Sequence, residues 1–537
     1  MMAKKFALIA HQNTQEDGDS LMALIQRCTL ALIFILFFGI ICFAGNNEIR
    51  IADPSGDWGF PTPYRHYPRG PGYIRMSMIF DTLIWKNETG VIPALAESWS
   101  YEPETLSYLF TLRQGVKWHD GRPFTPADVV FTFQYLKEHP YNFVRLDSVS
   151  GCEIEGEHQV RVKLHEPYAP FLAYMATMPI LPEHVWNKVK DPKKYVQPDS
   201  FIGTGPYTFV DFNKVKGTYL FKAFADYYQG RPKIDRLIYI KADDPLLALL
   251  TGKADLTEIE PNMVKILEKK GITILRNQRG WNKKLMINHT KEPFSNKEFR
   301  HALAHAINRQ EIIDKAHQGH GTVASDGLLS PDHEFYNPKT PSYEYNPAKA
   351  RKILTSLGYI QGKDGFFAKD GKPLRVRLLA STVTTTDRDG EIIRRQLEQV
   401  GIAVDLQMQE KTAADTQIKA WNFDLAVSGH GGLLGDTVML NRMISPKSGS
   451  VNSARYGGSK KLLGLLKEQL RTMDKEKRRR ILAEIQKIYA EELPSLSLYY
   501  PESTAAYNPK KGVSWYFTPG GIGTGIPLCQ NKASLLR

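Results

Sequence analysis

The chain has 537 residues, of which 42% are hydrophobic and 24% charged, a composition typical of a folded protein rather than a disordered one. Its length predicts more than one compact lobe. The formal net charge of +13 is spread along the sequence. Because nucleic-acid binding needs that charge gathered into a basic patch with interleaved aromatic residues, composition argues against a nucleic-acid partner.

The N-terminal segment predicts export. Arg27 precedes the uncharged run Cys28–Ala44, and polar residues follow directly, which is the order of a secretory signal peptide. We therefore expect a periplasmic protein. The run approaches the length that crosses a bilayer, so an uncleaved membrane tether is left open, as is a start at Met22. Whether Cys152 and Cys529 form a disulfide is also left open.

The next informative stretch, FTLRQGVKWHDGRPFTPADVV, contains a histidine beside an aspartate. Alternating residues predict a strand over Tyr108–Leu112, and the Asp-Gly dipeptide that follows predicts a turn. Thr125 then stands at a helix N-cap position, with proline next and Asp128 three residues on. Since no third orienting or nucleophilic group accompanies His119 and Asp120, we interpret the pair as part of a structural turn.

Helices and strands alternate through the rest of the chain. Strands are predicted over Arg236–Lys241 and Arg375–Ala380, and helices over Asn296–Ile307, Ala348–Leu357 and Arg478–Glu492. The sequence shows no internal repeat. The fold class is therefore α/β with mixed sheets.

Enzyme motifs are absent from the sequence. The serine elbow GxSxG, the zinc motif HExxH and the phosphate loop GxxxxGK[ST] do not occur intact. His301 and His305 have the spacing of zinc ligands on a helix but lack the glutamate between them. We predict no catalytic residue, no metal site and no cofactor. An exported hydrolase is the disfavoured alternative.

Several segments, in order along the chain, carry a family resemblance. They are FTLRQGVKWHDGRPFTPADVVFTF (110–133), GTGPY (203–207), ADYYQGRPKI (225–234), LTGKADL (250–256), PFSNKEFRHALAHAINR (293–309) and YNPAKA (345–350). Together they resemble the extracellular solute-binding proteins of family 5, the peptide- and nickel-binding class that serves ABC importers. The resemblance spans about residue 50 to the C-terminus.

The resemblance implies a two-lobed periplasmic-binding-protein fold of type II, the large cluster C, with mixed sheets and a two-strand hinge. The implied domains are a signal peptide at 1–44, lobe I at 45–288 with the extra subdomain of the large class, lobe II at 289–497, and a return to lobe I at 498–537. The implied hinge crossovers are Lys284–Asn288 and Leu496–Tyr500.

The implied function is binding of a peptide-like solute between the lobes and its delivery to an ABC permease with its ATPase subunits, by a monomer. A metal chelate, such as a nickel chelate, or an oligosaccharide is the alternative cargo. A sensing role without transport shares the same fold and is left open.

The candidate ligand contacts follow from matching the segment FDLAVSGHGGLLGD, which ends at Asp436, to the family. His430 falls where peptide-binding members have tryptophan, and Leu433 falls where they have the aspartate that holds the peptide amine. Leucine cannot neutralise an ammonium, so Leu433→Asp is expected to shift preference toward free-amine peptides.

Three further segments add candidates by the same resemblance. Arg388 follows the strand after which dipeptide-binding members place an arginine for the ligand carboxylate, Trp58 and Tyr64 lie where the first lobe of the family approaches the ligand, and Trp281 directly precedes the first predicted crossover. The full candidate set is Trp58, Tyr64, Trp281, Arg388, His430, Gly431, Leu433 and Asp436.

Overall fold

The computed structural model describes residues 47–382, 386–523 and 525–537. The predicted signal peptide lies outside these residues. Ile49–Arg537 form one compact unit. Within the described residues, no helix is both long and apolar enough to cross a membrane.

The first large sheet is built mainly from the N-terminal half. Its strand order, within the described residues, is Thr273–Arg276, Thr504–Tyr507, Leu256–Ile259, Glu48–Asp53, Arg236–Lys241, Thr218–Ala223 and Tyr207–Asn213. An antiparallel sheet of Ala96–Glu102, Ser107–Leu112, Gln159–Leu164 and Val149–Gly156 and a hairpin of Ile84–Asn87 and Gly90–Pro93 accompany it. The strand near the C-terminus, Thr504–Tyr507, thus joins the sheet of the N-terminal half.

The second large sheet is built from the C-terminal half. Its strand order, in the same described part, is Gly321–Val323, Ser495–Pro501, Trp281–Ile287, Leu425–Gly431, Arg375–Ser381 and Ala403–Gln409. Arg375–Ser381 is parallel to both of its neighbours and the other pairs are antiparallel. A small sheet joins Ile360–Gln361, Phe367–Lys369 and Lys372–Pro373. Both large sheets are therefore mixed.

Helices lie between and around the strands. The described α-helices are Gly70–Ser77, Pro126–Glu138, Phe171–Met175, Glu183–Trp186, Pro245–Leu250, Val264–Lys269, Lys297–Ala306, Arg309–Ala316, Pro347–Ser356, Thr386–Gln399, Lys411–Lys419, Val438–Ile444, Lys460–Arg471 and Lys475–Glu492. Short 3₁₀ helices occupy Pro103–Thr105, Pro198–Phe201, Pro261–Met263, Pro509–Lys511 and Lys532–Leu536.

The hydrophobic core separates in the same way as the sheets. One cluster draws on buried side chains between Ile49 and Leu256 and on the tail between Tyr507 and Leu535. The other large clusters draw on residues between 285 and 500. Because each sheet buries its apolar face against its own helices, the chain forms two lobes. The predicted α/β class and two-lobed architecture are confirmed.

The chain passes from the first large sheet to the second through residues 277–280 and returns through 502–503. The two passages are neighbours, since the backbone N–H of Asn277 donates to the carbonyl of Ser503 at 2.8 Å. Arg279 fixes the first passage to the second lobe, because its guanidinium pairs with the carboxylate of Asp332 at 2.5 Å.

The segments predicted as crossovers are parts of sheet strands instead. Lys284 pairs with Ser497, and Leu285 with Leu496, inside the second large sheet. Their strand-like composition reflects burial in that sheet, and composition alone does not distinguish a buried strand from a strand that links two lobes. The lobe limits at 288/289 and 497/498 stay predictions.

Candidate functional site

The histidine–aspartate turn joins two of the sequence motifs. The backbone N–H of His119 donates to the carbonyl of Gly203, and its Nε2 lies 2.9 Å from the carbonyl of Gly205. Asp120 accepts from His184 at 2.9 Å. Burial lowers the pKa of His119, so the ring is neutral. It serves to hydrogen-bond the turn to the backbone of the GTGPY segment. The structural interpretation of this turn holds.

Trp281 begins the strand that follows the first passage between lobes. It pairs with Gly431, and the residue is 47% exposed. A Cβ at Gly431 would lie 2.9 Å from Cε3 of the ring, and one at Gly429 would lie 2.8 Å from Nε1. Glycine at both positions therefore lets the indole lie across the end of the neighbouring strand.

His430 points into the protein and is only 4% exposed. Its Nδ1 lies 3.3 Å from the carbonyl of Gly431, and its Nε2 has no partner among the described residues. Burial lowers the pKa of His430 far below its usual value, and the positive charges of Lys284 and Arg442 add to the effect. His430 is therefore a neutral, interior group. The described residues contain no cluster of metal-ligating side chains, around His430 or elsewhere.

The loop after this strand carries Leu433 and Asp436. Leu433 is 1% exposed and packs in a hydrophobic cluster of the second lobe. The carboxylate of Asp436 accepts from the backbone N–H of Val438 at 2.8 Å and from both terminal nitrogens of Arg478 at 3.0 and 3.2 Å. Neither position offers an unpaired carboxylate to a peptide amine.

A cavity of about 440 Å³ lies beside Asp436. It is bounded by the first lobe through Tyr108 and by the second lobe through Lys475. Lys475 pairs with Glu334 at 2.7 Å, also on the cavity wall. Lys86 adds a further cationic group, whose pKa burial lowers. Glu334 and Asp436, the acidic residues on this wall, are therefore each paired with a cationic side chain.

A second and larger cavity, of about 660 Å³, is also lined by both lobes. Arg145, Tyr168 and Tyr174 contribute from the first lobe, and Arg442 contributes from the second. The two tyrosine rings are stacked with centroids 6.3 Å apart. Segment 445–450 supplies three serines to the opposite wall, at 445, 448 and 450. The volume is within the range of ordinary ligand pockets, about 300–1,000 Å³.

The lobes also touch directly beside these cavities. The backbone N–H of Ala169 donates to the carbonyl of Leu470 at 2.8 Å. On the other side, a Cβ at Gly520 would lie only 2.2 Å from the carbonyl oxygen of Leu434, and the N–H of Gly520 donates to Oε1 of Gln278 at 2.9 Å. Glycine in the tail therefore permits a close backbone contact between the lobes.

Of the eight predicted ligand contacts, only Asp436 lines either of these cavities, and three of the others lie in unrelated surroundings. The indole of Trp58 donates to Asp53 at 2.6 Å. The ring of Tyr64 packs against Tyr135, Tyr141 and Trp186. Arg388 is exposed on the helix Thr386–Gln399. Their ligand roles stay predictions.

The structure thus brings together the predicted residues Trp281, His430 and Gly431 at two adjacent strand ends, and it places Asp436 on a cavity wall. Sequence reasoning did not identify Arg145 and Arg442. No motif marks them, because they lie far apart in sequence and meet only through the packing of the two lobes.

Comparison with known proteins agrees with this architecture. A model of the family "Bacterial extracellular solute-binding proteins, family 5 Middle" matches residues 90–451. Heme-binding protein A of Haemophilus influenzae is 28% identical over 79% of this chain and 82% of its own length. Oligopeptide-binding protein AppA of Bacillus subtilis is 28% identical over 78% of this chain and 81% of its own.

Among solved structures, NikA from Brucella suis, in complex with Fe(III)-EDTA, superposes with a TM-score of 0.77 at 23% identity, covering 89% of this chain and 98% of NikA. This likeness shows the shared fold. The sequence-based family prediction is confirmed. The chain belongs to the bacterial extracellular solute-binding proteins of family 5.

Proposed function

We propose that this protein is the substrate-binding component of an ABC importer, which captures a peptide-like solute between its lobes and delivers it intact to the membrane permease. The observation that carries the proposal is the 660 Å³ cavity, which side chains of both lobes line. A solute in that cavity contacts both lobes at once, so it stabilises the closed arrangement over the open one.

The family and one relative support a peptide-like cargo. The family is extracellular, and the Bacillus subtilis relative is named for oligopeptide binding. The buried position of His430 disfavours a metal held directly by that side chain. We propose a periplasmic monomer whose closed form docks on the permease and its ATPase subunits, with no bond made or broken in the solute.

Native mass spectrometry of the protein purified from its own host tests this function. We expect a bound solute that fragments as a peptide, and saturable thermal stabilisation when the emptied protein is mixed with short peptides. Turnover of the peptides, or no response to any peptide together with no co-purified solute, would contradict the proposal. The variant Arg480→Gln changes an exposed helix position away from the cavity. It should bind peptides as the wild type does, and so it controls for differences between protein preparations.

A further inference from the structure

The larger cavity contains arginines that lack protein partners. Arg145 and Arg442 line it from opposite lobes, and neither guanidinium has a hydrogen bond or ion pair with another described residue. Burial raises the pKa of Tyr174, which lines the same cavity, and the positive charges of these two arginines oppose that rise. An unpaired guanidinium in a cavity is a donor set that matches a carboxylate in a bidentate way.

The other residues that line this cavity also favour an anionic ligand. Lys447 adds a third cationic side chain, and Asp147 is the one carboxylate among the residues that line this cavity. Asn142 and Asn441 contribute amide groups, and the serines of segment 445–450 contribute hydroxyls. The wall therefore offers more donors and positive charge than acceptors and negative charge.

Carboxylates that could hold a peptide amine are already matched in the adjoining cavity. Asp436 is paired with Arg478 and Glu334 with Lys475. Since a free α-ammonium needs an unpaired acceptor when it leaves water, this wall does not compensate it. In the larger cavity three cationic side chains accompany the single carboxylate of Asp147, and this excess of positive charge points to an anionic ligand.

We infer that the 660 Å³ cavity binds the carboxylate groups of an acidic, peptide-like solute, with Arg145 and Arg442 clamping it from opposite lobes. The inference rests on the proposed function and specifies its substrate class. A carboxylate that accepts from a guanidinium on each lobe links the lobes by charge-assisted hydrogen bonds, so it favours lobe closure in a way that a neutral solute of the same size does not.

Isothermal titration calorimetry with matched peptides tests the inference on the full-length mature protein. The probes are N-acetyl-Ala-Glu-Glu-Ala amide and its neutral partner N-acetyl-Ala-Gln-Gln-Ala amide, and Fe(III)-EDTA is the carboxylate chelate. The variants are Arg145→Gln, Arg442→Gln and the double variant, with Arg480→Gln as the control. The two cavity positions are exposed, so these variants are expected to fold.

We expect the acidic peptide to bind at least about 10-fold more tightly than the neutral one, because charge-assisted hydrogen bonds to a carboxylate are stronger than hydrogen bonds to a neutral amide. Each single cavity variant should lower the affinity for the acidic peptide about 10-fold and leave the affinity for the neutral peptide unchanged. Raising the salt concentration should reduce the preference. Arg480→Gln should behave as the wild type.

The outcomes separate this inference from the proposed function. Equal binding of both peptides, or cavity variants that bind the acidic peptide normally, would overturn the inference while the peptide-binding function stands. Binding of Fe(III)-EDTA but of neither peptide, with loss in the arginine variants, would support the anionic cavity and overturn the peptide cargo. Binding of none of the three probes would overturn the inference, whereas the proposed function is overturned only by the outcomes of the native mass spectrometry and peptide screen described above.

Discussion

The carboxylate of Asp436 accepts hydrogen bonds from both terminal nitrogens of Arg478, which lies on the helix Lys475–Glu492. The guanidinium also donates to the hydroxyl of Thr437 and to the side chain of Gln469, and it is largely buried. Asp436 therefore serves the fold of the second lobe, and its position on a cavity wall does not make it available to a ligand.

Removing the cation from this pair should destabilise the protein. Arg478→Gln leaves the carboxylate of Asp436 without its partner, and we expect the free energy of unfolding to fall by about 3 kcal/mol. Urea unfolding followed by circular dichroism measures the change, with Arg480→Gln as the control. The double variant with Asp436→Asn should recover part of the loss, and full additivity of the two substitutions would contradict the pairing.

Leu433→Asp should act on stability before it acts on ligand choice. The side chain is buried in an apolar cluster with Leu328 and Met439, so a carboxylate there loses its hydration without gaining a partner. We expect a loss of at least about 3 kcal/mol, against less than about 1.5 kcal/mol for the control Leu433→Met. A variant as stable as the wild type, with new affinity for free-amine peptides, would contradict this expectation and support Leu433 as a ligand contact.

Lys284 should give the protein a pH-dependent stability. This lysine is fully buried, donates to the carbonyl of Asn452 at 2.5 Å, and has its pKa lowered to about 7 by burial. Between that value and the ordinary lysine pKa of about 10.4 the unfolded chain binds more protons than the folded protein, so stability rises with pH through this window.

Replacement of Lys284 tests whether this residue causes the rise of stability with pH. We expect Lys284→Met to flatten the rise in the urea midpoint between pH 7 and pH 9, and to be the more stable protein at pH 6, where the wild-type lysine is charged in the folded state. Lys460→Met, at an exposed helix position, should keep the wild-type slope. An unchanged slope in Lys284→Met would assign the pH dependence to other groups.

The contact between the tail and the loop after His430 should control closure. A Cβ at Gly520 would meet the carbonyl of Leu434, whereas Gly512 has a similar positive φ, +71° against +67°, and open space around it. Gly512→Ala therefore reports the cost of the left-handed backbone conformation alone, about 1–2 kcal/mol. Gly520→Ala adds the collision, so we expect a larger radius of gyration in X-ray scattering and weaker solute binding. Identical scattering from both variants would contradict this role.

Local features of the fold could be predicted from sequence, because their causes lie within a few residues. The N-cap at Thr125 forms its capping box with Asp128, as predicted, because the two side chains need only the first turn of the helix to meet. The helix predicted over Asn296–Ile307 is observed at Lys297–Ala306. Hydrophobic periodicity and capping residues determine such elements directly.

The candidate site depends on contacts between distant parts of the chain, which no local pattern contains. Matching to the family named Asp436 as a candidate ligand contact, but it could not show that the carboxylate pairs with Arg478 on another element. The burial of His430 follows from how the second lobe packs around the strand end. Arg145 and Arg442 share a cavity only because two separately folded cores face each other.

The paired passages between the lobes constrain how the protein opens. Because Asn277 and Ser503 are hydrogen-bonded side by side, the two connections behave as a ribbon rather than as two independent threads. A ribbon bends readily across its flat face but resists twisting and sideways shear. If the lobes open as the proposed function requires, we expect a swing about a single axis, which would bring each wall residue back to the same opposite partner at every closure.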